Sequence, residues 1–462
     1  MKTIYSYILL AALLSFSCDR DKLLDLKPFD DIIPSTVEDF RRLLDYHYYY
    51  EPEMVSDVGV AHLYSIDLFM TDEYQVLGGA FENQFSTHIR FRDAVTWEKD
   101  FGALNTEDFD WAVLYKTILT ANVVIEGMND PKITGDETLK NILKSEAKVH
   151  RALAYFSLVN LYSKQYNATS ADTDLGVPIK LTSKPEIQIP RASVKKVYDL
   201  ILNDLKDVIE INALPMGKQK IGTRPSMAAA YAVLAKTHLA MGAYQKALTA
   251  ANKSLQNYNT LLDMNSIIFY PESINNPEGI VIKKAALEGP RGMYAADDLI
   301  ALYDPSDLRL EYYMALPEDP NNPYMLQRTN IIEDSWPLSP TTPELYLIRA
   351  ECNARVGDLN AVDDDLNAIG QNRIPGYTPL PNYTDRATAL EAVKIERRKE
   401  LVGKGVRLFD LKRYNAFDNA NISLTRIIDG TTHTLEANNN RWIVPIARSV
   451  LAQDPSLEQS PR

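Results

Sequence analysis

From Arg224 to Asn257 the chain reads RPSMAAAYAVLAKTHLAMGAYQKALTAANKSLQN, with apolar positions returning at helical spacing. Tyr231, Leu234, His238 and Met241 form one stripe, and the alanines beside them allow a neighbour to approach closely. Pro225 suits a first helical turn, and Gly242 ends the run where a tight turn needs positive φ. A second helix then sets Tyr244, Ala247, Leu248, Ala251 and Leu255 on one face, with Gln245, Lys246, Thr249 and Lys253 on the other.

Leu234, Ala235, His238, Gly242, Tyr244, Ala247 and Ala251 fall close to the positions of a tetratricopeptide unit. One hairpin of this kind cannot bury its own apolar face, so other helices must cover it. The same periodicity predicts them elsewhere. Ser35 to Glu38 can cap a helix through Phe40, Leu43, Leu44 and His47. Further helices are expected over Asp108–Met128, Lys144–Tyr162 and Val194–Ile211. Glu344–Ile369 repeats the hairpin: setting Gly357 on Gly242 puts Leu359 on Tyr244, Val362 on Ala247 and Leu366 on Ala251. Thr384 can cap a last helix through Leu401, resumed over Arg407–Tyr414 after Gly403 and Gly405, and Trp442–Pro461 reads as an extended tail. Asn122 sits on an apolar stripe, where a buried amide bonded to backbone is the expectation.

Three stretches lack any period. Asp57–Gly102 and the proline-broken Leu261–Thr342 are rich in aromatic rings, and Ser163–Ala192 is a long polar connection. Long structured loops on a rigid support are where binding residues concentrate.

Composition narrows the function. A net charge of −13 argues against nucleic acid or an anionic membrane surface as partner. Residues 1–17 read as an export signal: Lys2, an apolar run from Ile8 to Phe16, then Ser17-Cys18 before Asp19-Arg20-Asp21. Cys18 is then the acylated residue of a bacterial lipoprotein, with residues 18–34 as lipidated terminus and tether. That leaves Cys352, inside an apolar helical stretch, as a buried inert thiol.

The sequence holds no P-loop, dinucleotide fingerprint, HExxH, G-x-S-x-G or CxxC. The six histidines are scattered, and no metal site or cofactor is expected. Asp363-Asp364-Asp365 reads as a solvated helix face. A pair of carboxylates could still hide glycosidase chemistry, although nothing in the sequence points to one.

Several blocks in order carry a family resemblance. They are Trp111-Ala-Val-Leu-Tyr115 with Ala121-Asn122, Glu146-Ala147 with Arg151-Ala152 and Tyr155-Phe156, and Pro190-Arg191-Ala192 before Val197-Tyr198. Arg224-Pro225, Pro343–Glu351, Glu396–Leu401 and Arg407–Arg413 follow. With the lipoprotein-like start they resemble the SusD/RagB family of Bacteroidetes outer-membrane lipoproteins. Lys404, where that family usually has Glu, and Gln459-Ser460-Pro461, where Gln-Asn-Pro is usual, depart from the pattern.

The resemblance implies a mainly α fold of tetratricopeptide-like hairpins carrying a loop-rich, irregular ligand-facing lobe. The SusD/RagB-like domain would span 35–462, with an N-terminal part over about 35–220 and a C-terminal part over about 260–462. It implies a non-enzymatic, lipid-anchored outer-membrane protein, exposed at the cell surface, that binds an oligosaccharide or polysaccharide and partners a SusC-like TonB-dependent transporter. A peptide ligand on the same architecture is the alternative. Flat rings suit the C–H faces of sugars, so Trp97 and Trp336 are the first candidates for ligand contact, then Tyr74 and Tyr294.

Overall fold

Helices connected through tight glycine turns and short caps carry this fold. The computed structural model describes residues 34–48, 66–76, 89–102, 108–184, 188–271, 275–282, 284–285, 294–314, 324, 336–337, 339–380 and 382–462. The expected export signal, Cys18 and most of the tether lie outside the described residues. The longer helices are α1 (Val37–Tyr48), α2 (Phe109–Asn129), α3 (Glu137–Tyr162), α4 (Val194–Ile211) and α5 (Met227–Ala240). After them come α6 (Tyr244–Asn257), α7 (Thr342–Val356), α8 (Leu359–Gln371), α9 (Arg386–Glu400) and α10 (Arg407–Phe417). From α2 to α8 each packs chiefly on the next, so the architecture is a mainly helical stack of hairpins, as the pattern predicts.

Local chemistry sets the boundaries. Asp108, Asp136, Ser193, Ser226, Thr341, Asp358 and Asp385 each accept a hydrogen bond from the first turn of the helix that follows. The caps correct two expectations: α3 begins at Glu137 rather than Lys144, and Asp385 rather than Thr384 starts α9. Gly242 (φ +70°) and Gly357 (φ +119°) turn the two hairpins, and Tyr244 and Leu359 open the next helix at the same offset.

The α5–α6 contact runs through small side chains. Ala228, Ala229, Ala232 and Ala235 meet Ala247, Ala250, Ala251 and Leu255, and Ser254 Oγ donates to Ala228 O at 2.8 Å. Tyr231, Leu234 and Met241 instead lean, half-buried, against the larger core of α2–α4. Helix α5 is therefore covered on both sides, which is why its apolar residues run round it.

Outside the stack, short elements replace the aperiodic stretches. Leu175–Pro178 pairs with Arg191–Ser193 inside the expected polar connection. Leu424–Ile428 and Thr431–Leu435 form a hairpin whose turn, Asp429-Gly430, has positive φ at both residues. Arg448–Gln453 is helical, so the last twenty residues are not simply an extended tail. Asn122 is the buried amide expected: its Nδ2 donates to Lys180 O and Thr182 O, and its Oδ1 accepts from Arg151. Asp363 and Asp365 are buried, accepting from Tyr383 N and Arg349, so only Asp364 is a solvated residue of that run. Cys352 is buried and its thiol is pushed up to about 12 by burial.

A buried charge network ties the irregular stretch 261–342 to α9. Arg309 and Arg373 are both 0% exposed. Arg309 grips Asp307 through two nitrogens (2.9 and 2.7 Å) and reaches Glu400 at 2.9 Å. Arg373 donates to Glu400 (3.0 and 2.9 Å), Glu278 (2.7 Å) and Leu262 O (2.7 Å). Lys404, the departure from the family pattern, lies buried with Nζ 4.0 Å from Glu400 and 5.1 Å over the Tyr313 ring. Burial alone would push the Glu400 carboxyl up, but Arg373, Arg309 and Lys404 together hold it far below the usual carboxylate range.

Removing one partner strands the others. Arg373→Met leaves Glu278 and Glu400 short of a cation and is expected to cost about 3–5 kcal/mol, read as a lowered urea midpoint. An unchanged midpoint would refute that role. A second expectation concerns pH. Glu73 is buried, accepts from Gly403 N at 3.2 Å, and is pushed up to about 8 by burial against the pull of Arg407. The folded protein thus holds a proton that the unfolded chain releases near 4.5, so this contribution to stability is lost as pH rises through about 8. The melting temperature should fall across that window, and Glu73→Gln should make the fall shallower.

Candidate functional site

The irregular segments meet in a lobe beside the stack. Strand Tyr74–Gln75 pairs antiparallel with Tyr294–Ala295, Tyr74 opposite Ala295 and Gln75 opposite Tyr294. Successive side chains in a strand point to opposite faces, so Tyr74 and Ala295 share one face while Gln75 and Tyr294 share the other. The first face is core. Tyr74 and Ala295 are buried among Phe69, Phe91 and Leu299, whereas Gln75 and Tyr294 are half-buried.

Arg426 decides the fate of two candidate rings. It enters from the Leu424–Ile428 strand and donates to Phe69 O (2.8 Å), Val95 O (2.6 Å) and Thr71 O. Its guanidinium lies 4.8 Å from the centre of the Tyr74 ring and 4.6 Å from that of Trp97. Trp97 is 1% exposed, takes φ +53°, and donates from Nε1 to Met70 O at 3.0 Å. Trp97 and Tyr74 are therefore not ligand platforms. They are core rings whose neighbour is an arginine, and a sugar has no access to them.

Tyr294 fits the expected role better, since its ring is not among those packed on the core clusters. Beside it Gln75 Nε2 donates to Asp297 Oδ1 (2.8 Å) and Ala295 O (3.1 Å), which fixes both polar groups. Asp298 accepts from Arg398 at 3.0 Å, and Arg398 also donates to Asp72 O at 2.8 Å. Arg407 holds the Asp72 carboxylate through two bonds of 2.8 and 2.7 Å. A ring flanked by an ordered amide and exposed carboxylates offers an apolar plane together with acceptors for hydroxyls. Sequence reasoning missed Gln75, Asp297, Asp298 and Arg398, because only strand pairing and ion pairs between residues a hundred or more positions apart bring them together.

Trp336 begins a strand, Trp336–Pro337, that pairs with Lys284–Ala285; its side chain lies outside the described residues. Tyr324 lies against the other strand pair, its carbonyl accepting from Ala295 N at 2.7 Å.

Two carboxyls in this lobe are raised towards neutrality. Asp67 is pushed up to about 7 by burial and then by the neighbouring Asp110, and Glu73 to about 8. Values near neutrality suit a general acid, but both carboxyls are sealed in the core. Among the described residues no group of three His, Cys, Asp or Glu could hold a metal ion, and no helix is long and apolar enough to cross a membrane.

Residues 22–239 match a family model described as SusD-like, starch-binding and associating with the outer membrane, and residues 342–462 match the model of the SusD family itself. No curated protein matches the chain. Among solved structures, a SusD superfamily protein from Bacteroides thetaiotaomicron is 20% identical with a TM-score of 0.73, covering 92% of this chain and 100% of its own. A SusD-like carbohydrate-binding protein from Bacteroides vulgatus is also 20% identical, with a TM-score of 0.68 and coverage of 92% and 98%. Surface glycan-binding protein A from Bacteroides uniformis is 19% identical, with a TM-score of 0.69 and coverage of 91% and 99%. At these identities the structures establish a shared fold. With two models of one family lying in order along a chain that folds as its members do, this protein belongs to the SusD/RagB family.

Proposed function

We propose that this protein is a glycan-binding lipoprotein of the outer membrane, anchored through Cys18 and exposed at the cell surface. In this reading it captures an oligosaccharide or polysaccharide and delivers it to a SusC-like TonB-dependent transporter. The observation that carries it is the outward Tyr294, framed by the fixed polar groups of Gln75 and Asp297 on a lobe locked to the helical stack. Proteins of the same fold that bind carbohydrate and surface glycan support it. Binding rather than catalysis is the reading, and the two carboxyls of this lobe raised closest to neutrality, Asp67 and Glu73, are buried in its core. The strand at Trp336 sits in the same irregular stretch as Tyr294, and its ring is the second proposed contact.

An affinity screen of the protein without its first eighteen residues, against polysaccharides, oligosaccharides and peptides, tests this reading. A glycan is the expected hit; a peptide alone would overturn it. Once a ligand is in hand, Tyr294→Ala and Trp336→Ala should weaken it about tenfold with little change in melting temperature. Trp97→Ala should instead cost about 3–5 kcal/mol of stability, as loss of a core ring does. Wild-type affinity in both surface mutants would sink the site.

The anchor has its own check. Cys18→Ala should abolish fatty-acid labelling and release the protein from outer membranes. The wild-type protein should co-purify with a large β-barrel transporter after detergent extraction.

A further inference from the structure

Glu73 stands where the Tyr294 edge is fastened to the helical stack. Its backbone carbonyl accepts from Ala296 N at 3.0 Å, one residue beyond the Tyr294–Ala295 strand. Its carboxyl is 2% exposed and takes a single hydrogen bond, from Gly403 N at 3.2 Å, in the turn that joins α9 to α10. Tyr74, the next residue, begins the paired strand. Glu73 therefore touches both strands of the edge and the turn that supports them.

The charges around it leave a carboxylate there poorly neutralised. On its own segment it is flanked by Asp72 and by Tyr74, whose ring lies 4.8 Å from the Arg426 guanidinium. From α10, Arg407 gives two nitrogens to Asp72. From α9, Arg398 bonds Asp298 and the Asp72 carbonyl, with the Asp72 carboxylate 3.3 Å away. Neither arginine pairs with Glu73 among the described residues. Lys404, next in the turn, has its ammonium 4.0 Å from Glu400, and across the edge Asp297 is held by Gln75. An ionised Glu73 would be a buried carboxylate with one hydrogen bond beside a second carboxylate, and a protonated one avoids that cost. Burial accordingly pushes Glu73 up to about 8 against the pull of Arg407.

We propose that the Tyr294 edge is a proton-linked latch, closed over a protonated Glu73 and opening with release of that proton as the carboxyl meets water. Opening then becomes easier with rising pH above the range of a free carboxyl, until Glu73 ionises in the closed edge as well. The functional consequence rests on the reading of this edge as the ligand site: a glycan is gripped more tightly in mildly acidic than in mildly alkaline surroundings.

Hydrogen exchange of the whole protein without ligand, read by mass spectrometry with labelling times scaled to the intrinsic rate at each pH, tests the latch. In the peptide carrying Ala295 and Ala296 the opening equilibrium should rise, by up to about tenfold per pH unit, between about pH 5 and 8 and then level off. Amides of α3 and α4 should keep their protection throughout. Asp67, buried in the same lobe near Asp110, is pushed up to about 7, so two variants separate the carboxyls. Glu73→Gln should flatten the rise at Ala296, and Asp67→Asn should leave it in place. Should Glu73→Gln fail to fold, the wild-type profile and Asp67→Asn decide. A wild-type profile flat with pH, a rise shared by α3 and α4, a rise that survives Glu73→Gln, or one abolished by Asp67→Asn would each overturn the proposal. No ligand enters the measurement, so its failure leaves the glycan reading standing, and an empty glycan screen leaves the latch standing.

Discussion

Glu400 is the point on which the structure turns. It sits at the end of α9, fully buried, between the guanidinium groups of Arg309 and Arg373, with the Tyr313 hydroxyl donating to it at 3.1 Å. Apolar burial is non-directional and could accept many paths for a loop of eighty residues. A carboxylate that must be neutralised inside the protein accepts very few. Each arginine also holds a second carboxylate, Asp307 or Glu278, so the network ties two separate points of the irregular stretch to the end of α9. Its value lies in specifying that path more than in net stability, because burying ions recovers little of what desolvation costs.

The same device recurs on the other side of the lobe. Arg426 collects three backbone carbonyls that end short helical turns, and Arg407 and Arg398 converge on Asp72. Cations delivered by the C-terminal third thus organise loops from the N-terminal third. One consequence is functional. Rings that accompany these cations, Tyr74 and Trp97, are consumed by the scaffold, whereas Tyr294 and Gln75, one residue out of phase on the paired strands, remain available. The proposed binding edge rests on a layer pinned by charge.

Helix α7 shows how one element serves two surfaces. Leu345, Ile348 and Cys352 pack towards α5 and α6, and Leu347, Ala350 and Ala354 towards α8 and α9.

The helical stack was legible in the sequence because its signals are local. The Gly242 and Gly357 turns, the Ser and Asp caps, and the 3.6-residue stripes lie within a few residues of what they specify. The family blocks were legible for the same reason, and so was the burial of Cys352 and Asn122. The Asp429-Gly430 hairpin turn rests on an equally local signal, an Asp-Gly pair with positive φ at both residues. What only the tertiary structure decided is which aromatic rings face out. Trp97 and Tyr294 look alike as rings in aperiodic, polar surroundings, and nothing near either in sequence separates them. Arg426, some three hundred and thirty residues beyond Trp97, fills one face of its indole, while the register of two short strands turns Tyr294 outward. Both depend on long-range pairing, and a one-residue change in register would exchange the buried and exposed rings without altering any local pattern.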